Sequence, residues 1–180
     1  LLRTLHEMKD HGRIPDAPIY VDSPMCTRAL KVYQEAFARN ELRPDLQAED
    51  FAEMTNLTAI IEAEDSKKLT NPTVPCIIIA SAGMATGGRV IHHLEAMLPN
   101  PKHTILFSGY QAYGTPGREL LDGAKQLKMF GKYVPVRAQI TQDTGFSVHA
   151  DGSDIIDWLR ALPIKPETVF VTHGEPDSAQ

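Results

Sequence analysis

The feature that most restricts this chain is the alternation of short, continuous apolar runs with segments of helical periodicity. Pro75 to Ala80 (PCIIIA) and Thr168 to Thr172 (TVFVT) are unbroken and rich in β-branched residues, the pattern of strands covered on both faces. Ala17 to Val21, Thr104 to Ser108 and the alternating Val134 to Ile140 complete the predicted strands. Between them, Thr27 to Arg39, Gly88 to Leu98, Gly117 to Ala124 and Asp151 to Leu162 read as helices. Val90, Ile91, Leu94, Met97 and Leu98 share one helical face, as do Ile155, Ile156, Leu159 and Leu162, so each helix should pack one side on a sheet. Strand, crossover helix, parallel strand is the connection such an order implies. The expected fold class is α/β, a three-layer and mostly parallel sheet of Rossmann type. A hairpin or edge strand is expected around a tight turn at Phe130-Gly131-Lys132.

With 180 residues the chain can bury one sizeable core, and one compact domain is the default. No apolar run approaches the roughly 20 residues of a membrane span, and Leu1 to Asp10 has no secretory pattern, so the expected location is cytoplasmic with no membrane partner. Leu1, Leu2, Leu5 and Met8 form the stripe of a helix already under way, as in a fragment of a longer protein. Cys26 and Cys76 stand alone, with no CxxC neighbour, and read as reduced packing residues.

The net charge of -5 argues at first against a nucleic-acid partner. It is unevenly spread, however. Residues 41 to 65 hold eight carboxylates against the single Arg43, whereas Lys102 to Ser147 hold six cations against Glu119, Asp122 and Asp143. This modest excess is suited to a phosphate path, although charge alone favours a solvated face.

Small and polar residues follow four of the five predicted strands: Asp22-Ser23, Ser81-Ala82-Gly83-Met84, Gly109-Tyr110-Gln111 and His173-Gly174-Glu175. In open parallel sheets ligands bind beyond the carboxyl ends of the strands, so one rim is marked as the working edge. In SAGMATGGR, several backbone amides can point toward an anion at the start of the next helix. Gly83 and Gly88 have the GxxxxG spacing, but Arg89-Val90 replaces the Walker Lys-Ser/Thr, and GxGxxG is absent. Such a turn taken alone is structural about as often as functional. Of the seven histidines, His6, His11, His92, His93 and His103 need no function beyond surface or packing roles. His149 precedes a helix that Asp151, Ser153 and Asp154 would cap, and His173 follows the last predicted strand. Together, on loops at one sheet edge, these two favour catalysis. Neither HxHxDH nor HExxH occurs, so any metal chemistry needs ligands outside this chain.

The strings IYVDSP, CIIIASAGMATGGRVIHHL, ILFSGYQAYGTPGRELLDGA, VPVRAQI, GFSVHADGSDIIDWL and VTHGE resemble, in order, the β-CASP module of metallo-β-lactamase-fold ribonucleases. That group includes the messenger-RNA 3′-end processing endonuclease and RNase J type enzymes. The resemblance spans roughly residues 17 to 177. It implies a helical lead-in over 1–16, a β-CASP domain over 17–165, and a strand and motif C loop over 166–180 returning toward a metallo-β-lactamase domain. It further implies zinc-dependent hydrolysis of RNA phosphodiesters in a cleft between the two domains, with two zinc ions held mostly by residues this chain lacks. His149 is similar to the motif B histidine, which protonates the leaving oxygen or stabilises its charge. His173 is similar to the motif C histidine, a zinc ligand in RNA-acting members. Ser81, Gly83, Met84, Gly109, Tyr110 and Ser147 match positions facing the RNA. The implied partners are single-stranded RNA and the metallo-β-lactamase domain, with a homodimer left open. The chain by itself is expected to be inactive. Two alternatives stand beside this reading: a non-catalytic RNA-binding scaffold relative, against which both histidines count, and a mononucleotide-binding α/β domain, against which the missing Walker lysine counts.

Overall fold

The computed structural model describes residues 1–44, 57–147 and 149–172. In chain order the elements are α1 (Leu2–Asp10), β1 (Ile19–Asp22), α2 (Pro24–Ala38), β2 (Leu57–Ala59), α3 (Ala63–Lys68), β3 (Ile77–Ala80), α4 (Val90–Met97), β4 (Thr104–Phe107), α5 (Pro116–Leu121), β5 (Gln126–Met129), β6 (Lys132–Pro135), β7 (Gln139–Gln142) and α6 (Gly152–Ala161). The strands pair as a parallel β2-β1-β3 sheet, a parallel β4-β7 pair and an antiparallel β5-β6 hairpin. The α/β class and the hairpin are thus as expected.

β1 is the central strand of its sheet, and Ile19, Val21 and Asp22 are buried there, whereas β3 lies at the edge and is only half-buried along its length. Burial therefore follows sheet position and not the apolarity of the run. The main core gathers Leu94 from α4 and Leu98 at its C-terminal cap, Phe107 from β4, Leu120 from α5 and Leu127, Met129 and Val134 from the hairpin. At the hairpin tip both Phe130 and Gly131 have positive φ (49° and 79°), the backbone of a two-residue type I′ turn. The exposed Phe130 ring stacks on His92, with centroids 5.0 Å apart.

Several expectations need correction. Val134 to Ile140 is not one strand: β6 stops at Pro135 and β7 begins at Gln139, because Val136 donates to Lys125 while Arg137 and Ala138 both donate to the Leu98 carbonyl. Thr168 to Thr172 pairs with nothing among the described residues, and Phe170 is 83 % exposed. A strand exists only through hydrogen bonds to a neighbour. Likewise α6 buries no residue, and Ile155, Ile156 and Trp158 stay exposed on its apolar side. β2 and α3 had no counterpart among the predicted elements. β2 is a three-residue strand that exists by pairing with β1, and α3 is six residues long. No described helix is long and apolar enough to cross a membrane.

Candidate functional site

Asp22, the last residue of β1, and Ser23 directly after it both reach the loop after β3. Ser23 has extended backbone, and its Oγ accepts the Cys26 amide at 3.1 Å, so the Ser-Pro pair starts α2 three residues before the predicted helix. The same Oγ donates to Ser81 Oγ at 2.7 Å, which links the end of β1 to the loop after β3.

Asp22, at 1 % exposure, anchors the most buried polar cluster among the described residues. Arg89 Nη1 donates to its Oδ1 at 2.7 Å, Ser66 Oγ donates to its Oδ2 at 2.6 Å, and His93 Nε2 lies 2.6 Å from Oδ2. Arg89 also donates to the carbonyls of Ile60 and Ile61, at 2.9 and 2.6 Å. Burial by itself pushes the Asp22 carboxyl up, but hydrogen bonds from Ser66, His93 and Arg89 outweigh it and hold the group below the usual carboxylate range. His93, expected to be only a surface or packing residue, belongs to this cluster. The one sequence signal for it was the spacing of Arg89 and His93, four apart at the start of α4. The cluster is no Ser-His-Asp nucleophile, since hydroxyl and imidazole both face the carboxylate rather than each other.

The loop between Ser81 and Arg89 holds two alanines in the left-handed region, Ala82 at φ 66° and Ala85 at φ 58°, joined by an Ala85 amide to Ala82 carbonyl bond of 2.8 Å. Each costs about 1 kcal/mol relative to a relaxed backbone, and non-glycine residues held this way concentrate at functional loops. Burial of the Ala85 methyl in the main core offsets part of that cost. Gly83 and Met84 are left exposed at the loop's crest.

The loop after β4 joins the same edge. Gln111 is buried and donates through Nε2 to the carbonyls of Gly109 and Tyr110. Its Oε1 sits against Gly117, whose amide donates to the Met84 carbonyl at 3.1 Å. The ends of β4 and β7 meet as Gln142 Nε2 donates to the Gly109 carbonyl at 3.0 Å. The loop after β3 thus bonds Ser23 on one side and the first turn of α5 on the other, and the end of β7 bonds the loop after β4.

Among the residues singled out from the sequence, Ser81, Gly83, Met84, Gly109 and Tyr110 lie on this joined edge. Ser147 and His149 are both exposed, on the segment leading from β7 to α6. The predicted cap of α6 is present: Asp151 accepts the Asp154 amide, and Asp154 accepts the Asp151 amide. His173, with the rest of the predicted motif C loop, lies outside the described residues. Among the described residues no group of three or more His, Cys, Asp or Glu is arranged to hold a metal ion.

The architecture is that of an α/β module with its strand-end loops linked by hydrogen bonds. Residues 1–120 match the family model described as the Beta-Casp domain, and residues 133–180 match the Zn-dependent metallo-hydrolase RNA specificity domain. The chain belongs to the Beta-Casp family. It is 34 % identical over 177 residues to Ribonuclease TTHA0252 of Thermus thermophilus, covering 96 % of this chain and 40 % of the relative. It is 35 % identical over 164 residues to the RNase J-like protein of Methanocaldococcus jannaschii, 91 % and 37 %. It is 30 % identical over 180 residues to the transcription termination factor FttA of Pyrococcus abyssi, 94 % and 28 %. The chain thus spans 40 % or less of the length of these relatives.

Proposed function

We propose that this chain is the RNA-clamping half of a zinc-dependent ribonuclease that hydrolyses RNA phosphodiesters in RNA processing or decay in the cytoplasm. The observation that carries this reading is the hydrogen-bonded linkage of the strand ends of β1, β3, β4 and β7 in series, in a chain with relatives named ribonuclease and RNase J-like protein. Ser81, Gly83, Met84, Gly109 and Tyr110 contact single-stranded RNA along that edge, and Ser147 does so from the segment before α6. Hydroxyl and amide donors suit phosphate and ribose oxygens, and the exposed Tyr110 ring suits a base face. His149 is the catalytic residue, donating a proton to the leaving oxygen. An imidazole with a reference pKa of about 6.5 does so near neutral pH.

The described residues do not fit a zinc site, so zinc is assigned to a metallo-β-lactamase domain that closes over this edge, with His173 as this chain's contribution. The bare apolar side of α6 and the exposed Val169, Phe170 and Val171 support an apolar neighbour of that kind.

The test is RNA turnover by the protein that carries both domains. Tyr110→Ala and Met84→Ala should raise KM for single-stranded RNA while kcat holds, and His149→Ala should lower kcat. If all three variants bind and cut RNA as the parent does, this edge is not the RNA surface.

A further inference from the structure

Both ends of the loop from Ser81 to Gly88 are held by one dipeptide, Asp22-Ser23. Ser23 bonds its first residue, and Asp22 bonds Arg89, the residue directly after its last. We propose that Asp22 and Ser23 are the positioning residues of the RNA-facing loop, and that Ser23 sets the direction in which the Ser81 hydroxyl donates. The proposal rests on the RNA-binding reading of this edge.

The direction follows from counting protons. A serine hydroxyl has one proton and two lone pairs. The Cys26 amide can only donate, so it occupies a lone pair of Ser23 Oγ. Ser23 is 1 % exposed, and the remaining partner its hydroxyl has is Ser81 Oγ, 2.7 Å away. The Ser23 proton therefore goes to Ser81, because a buried hydroxyl proton without an acceptor costs about 1 to 3 kcal/mol. Ser81 accepts on its inner side and keeps its own proton. It is half-buried, so that proton has an outward path to an acceptor such as a phosphate oxygen or a ribose hydroxyl. The chain runs from the first turn of α2 through Ser23 to Ser81, and each donor is polarised by the one behind it.

At the loop's other end, Arg89 makes three hydrogen bonds, to Asp22 and to two carbonyls beyond β2, so the exit of the loop cannot drift along the sheet. Asp22 itself faces Arg89, Ser66 and His93 and is closed to solvent. Its part is to hold the loop, with no contact to substrate.

The experiment is steady-state RNA cleavage by the two-domain protein, with zinc content and thermal unfolding measured alongside. Ser81→Ala should raise KM for single-stranded RNA by about tenfold, the loss of one hydrogen bond to a charged group, with kcat within about twofold. Ser23→Ala should raise KM nearly as much, and the double variant no more than Ser81→Ala alone, whereas Ser23→Thr should restore the parent value. Arg89→Lys, which cannot make all three bonds, should also raise KM at unchanged kcat and zinc content, and it tests the second anchor if Ser23→Ala does not fold. The proposal is overturned if Ser81→Ala raises KM while Ser23→Ala does not, or if the two effects multiply. If Ser81→Ala and Tyr110→Ala both leave KM unchanged, the RNA-binding reading itself fails.

Discussion

The side-chain oxygen of Gln111 fills the space that any side chain at position 117 would need, so Gly117 is required by the contact and not by its own backbone angles. This joint seats the loop after β4 against the loop after β3, because the Gly117 amide also holds the Met84 carbonyl. Gly117→Ala should destabilise the protein by about 1 to 3 kcal/mol, the usual range for overpacking a buried site, and weaken RNA binding through displacement of Tyr110 and Met84. Thermal unfolding and an RNA titration check it. An unchanged midpoint would mean that Gln111 swings aside freely.

Gly83 and Gly88 should respond differently to the same change. A Cβ at Gly83 meets nothing within 4 Å, so Gly83→Ala should leave stability within about 0.5 kcal/mol. Gly88 has φ 73°, and its added Cβ would make only an ordinary 3.7 Å contact with Ala82. Gly88→Ala should therefore cost about 1 to 2 kcal/mol from backbone conformation alone. A rise in KM for Gly83→Ala at unchanged stability would report RNA contact at the crest of the loop.

Asp22 should shape the acid limb of stability. Its folded pKa lies below the unfolded value of about 3.9, so the ionised form contributes stability that is fully present above that value. The contribution is lost as pH falls below about 4 toward the folded pKa. Asp22→Asn should be less stable than the parent at pH 7, and the difference should shrink on acidification. Denaturant unfolding at pH 7 and pH 3 reads this directly, and a gap that widens at pH 3 would contradict the sign.

For the two-domain protein, His149→Ala should lower kcat by about 100-fold or more with zinc content intact, the scale of a lost general acid. His173→Ala should lower zinc occupancy as well. Metal analysis beside single-turnover cleavage separates the two, and equal zinc loss in both would reverse the assigned roles.

Much of this molecule can be read from local pattern. The strand at Ile77–Ala80, the helix at Val90–Met97, the turn at Phe130-Gly131 and the Asp151 cap each depend on residues within a few positions of one another, which is why periodicity and turn chemistry found them. The small and polar residues after successive strands were legible for the same reason, and they lie at strand ends that hydrogen bonds link. The His93 pairing was missed because its partner is 71 positions away, and the Ser66 partner of the same carboxylate is 44 away. Thr168 to Thr172 failed in the opposite sense: its local pattern is that of a strand, yet no described neighbour pairs with it.

The sequence by itself determined the α/β class, the place of most elements and the identity of the rim residues, since these follow from backbone propensity and the spacing of side chains on one face. Only the tertiary structure decided that Asp22 would be buried with three partners, that Ser23 would meet Ser81, and that Gln111 would pack against Gly117. Each of those depends on which strands become neighbours. That is settled by burial of apolar surface over the whole chain, which then favours hydrogen-bonded partners for the polar groups it encloses, as at Asp22.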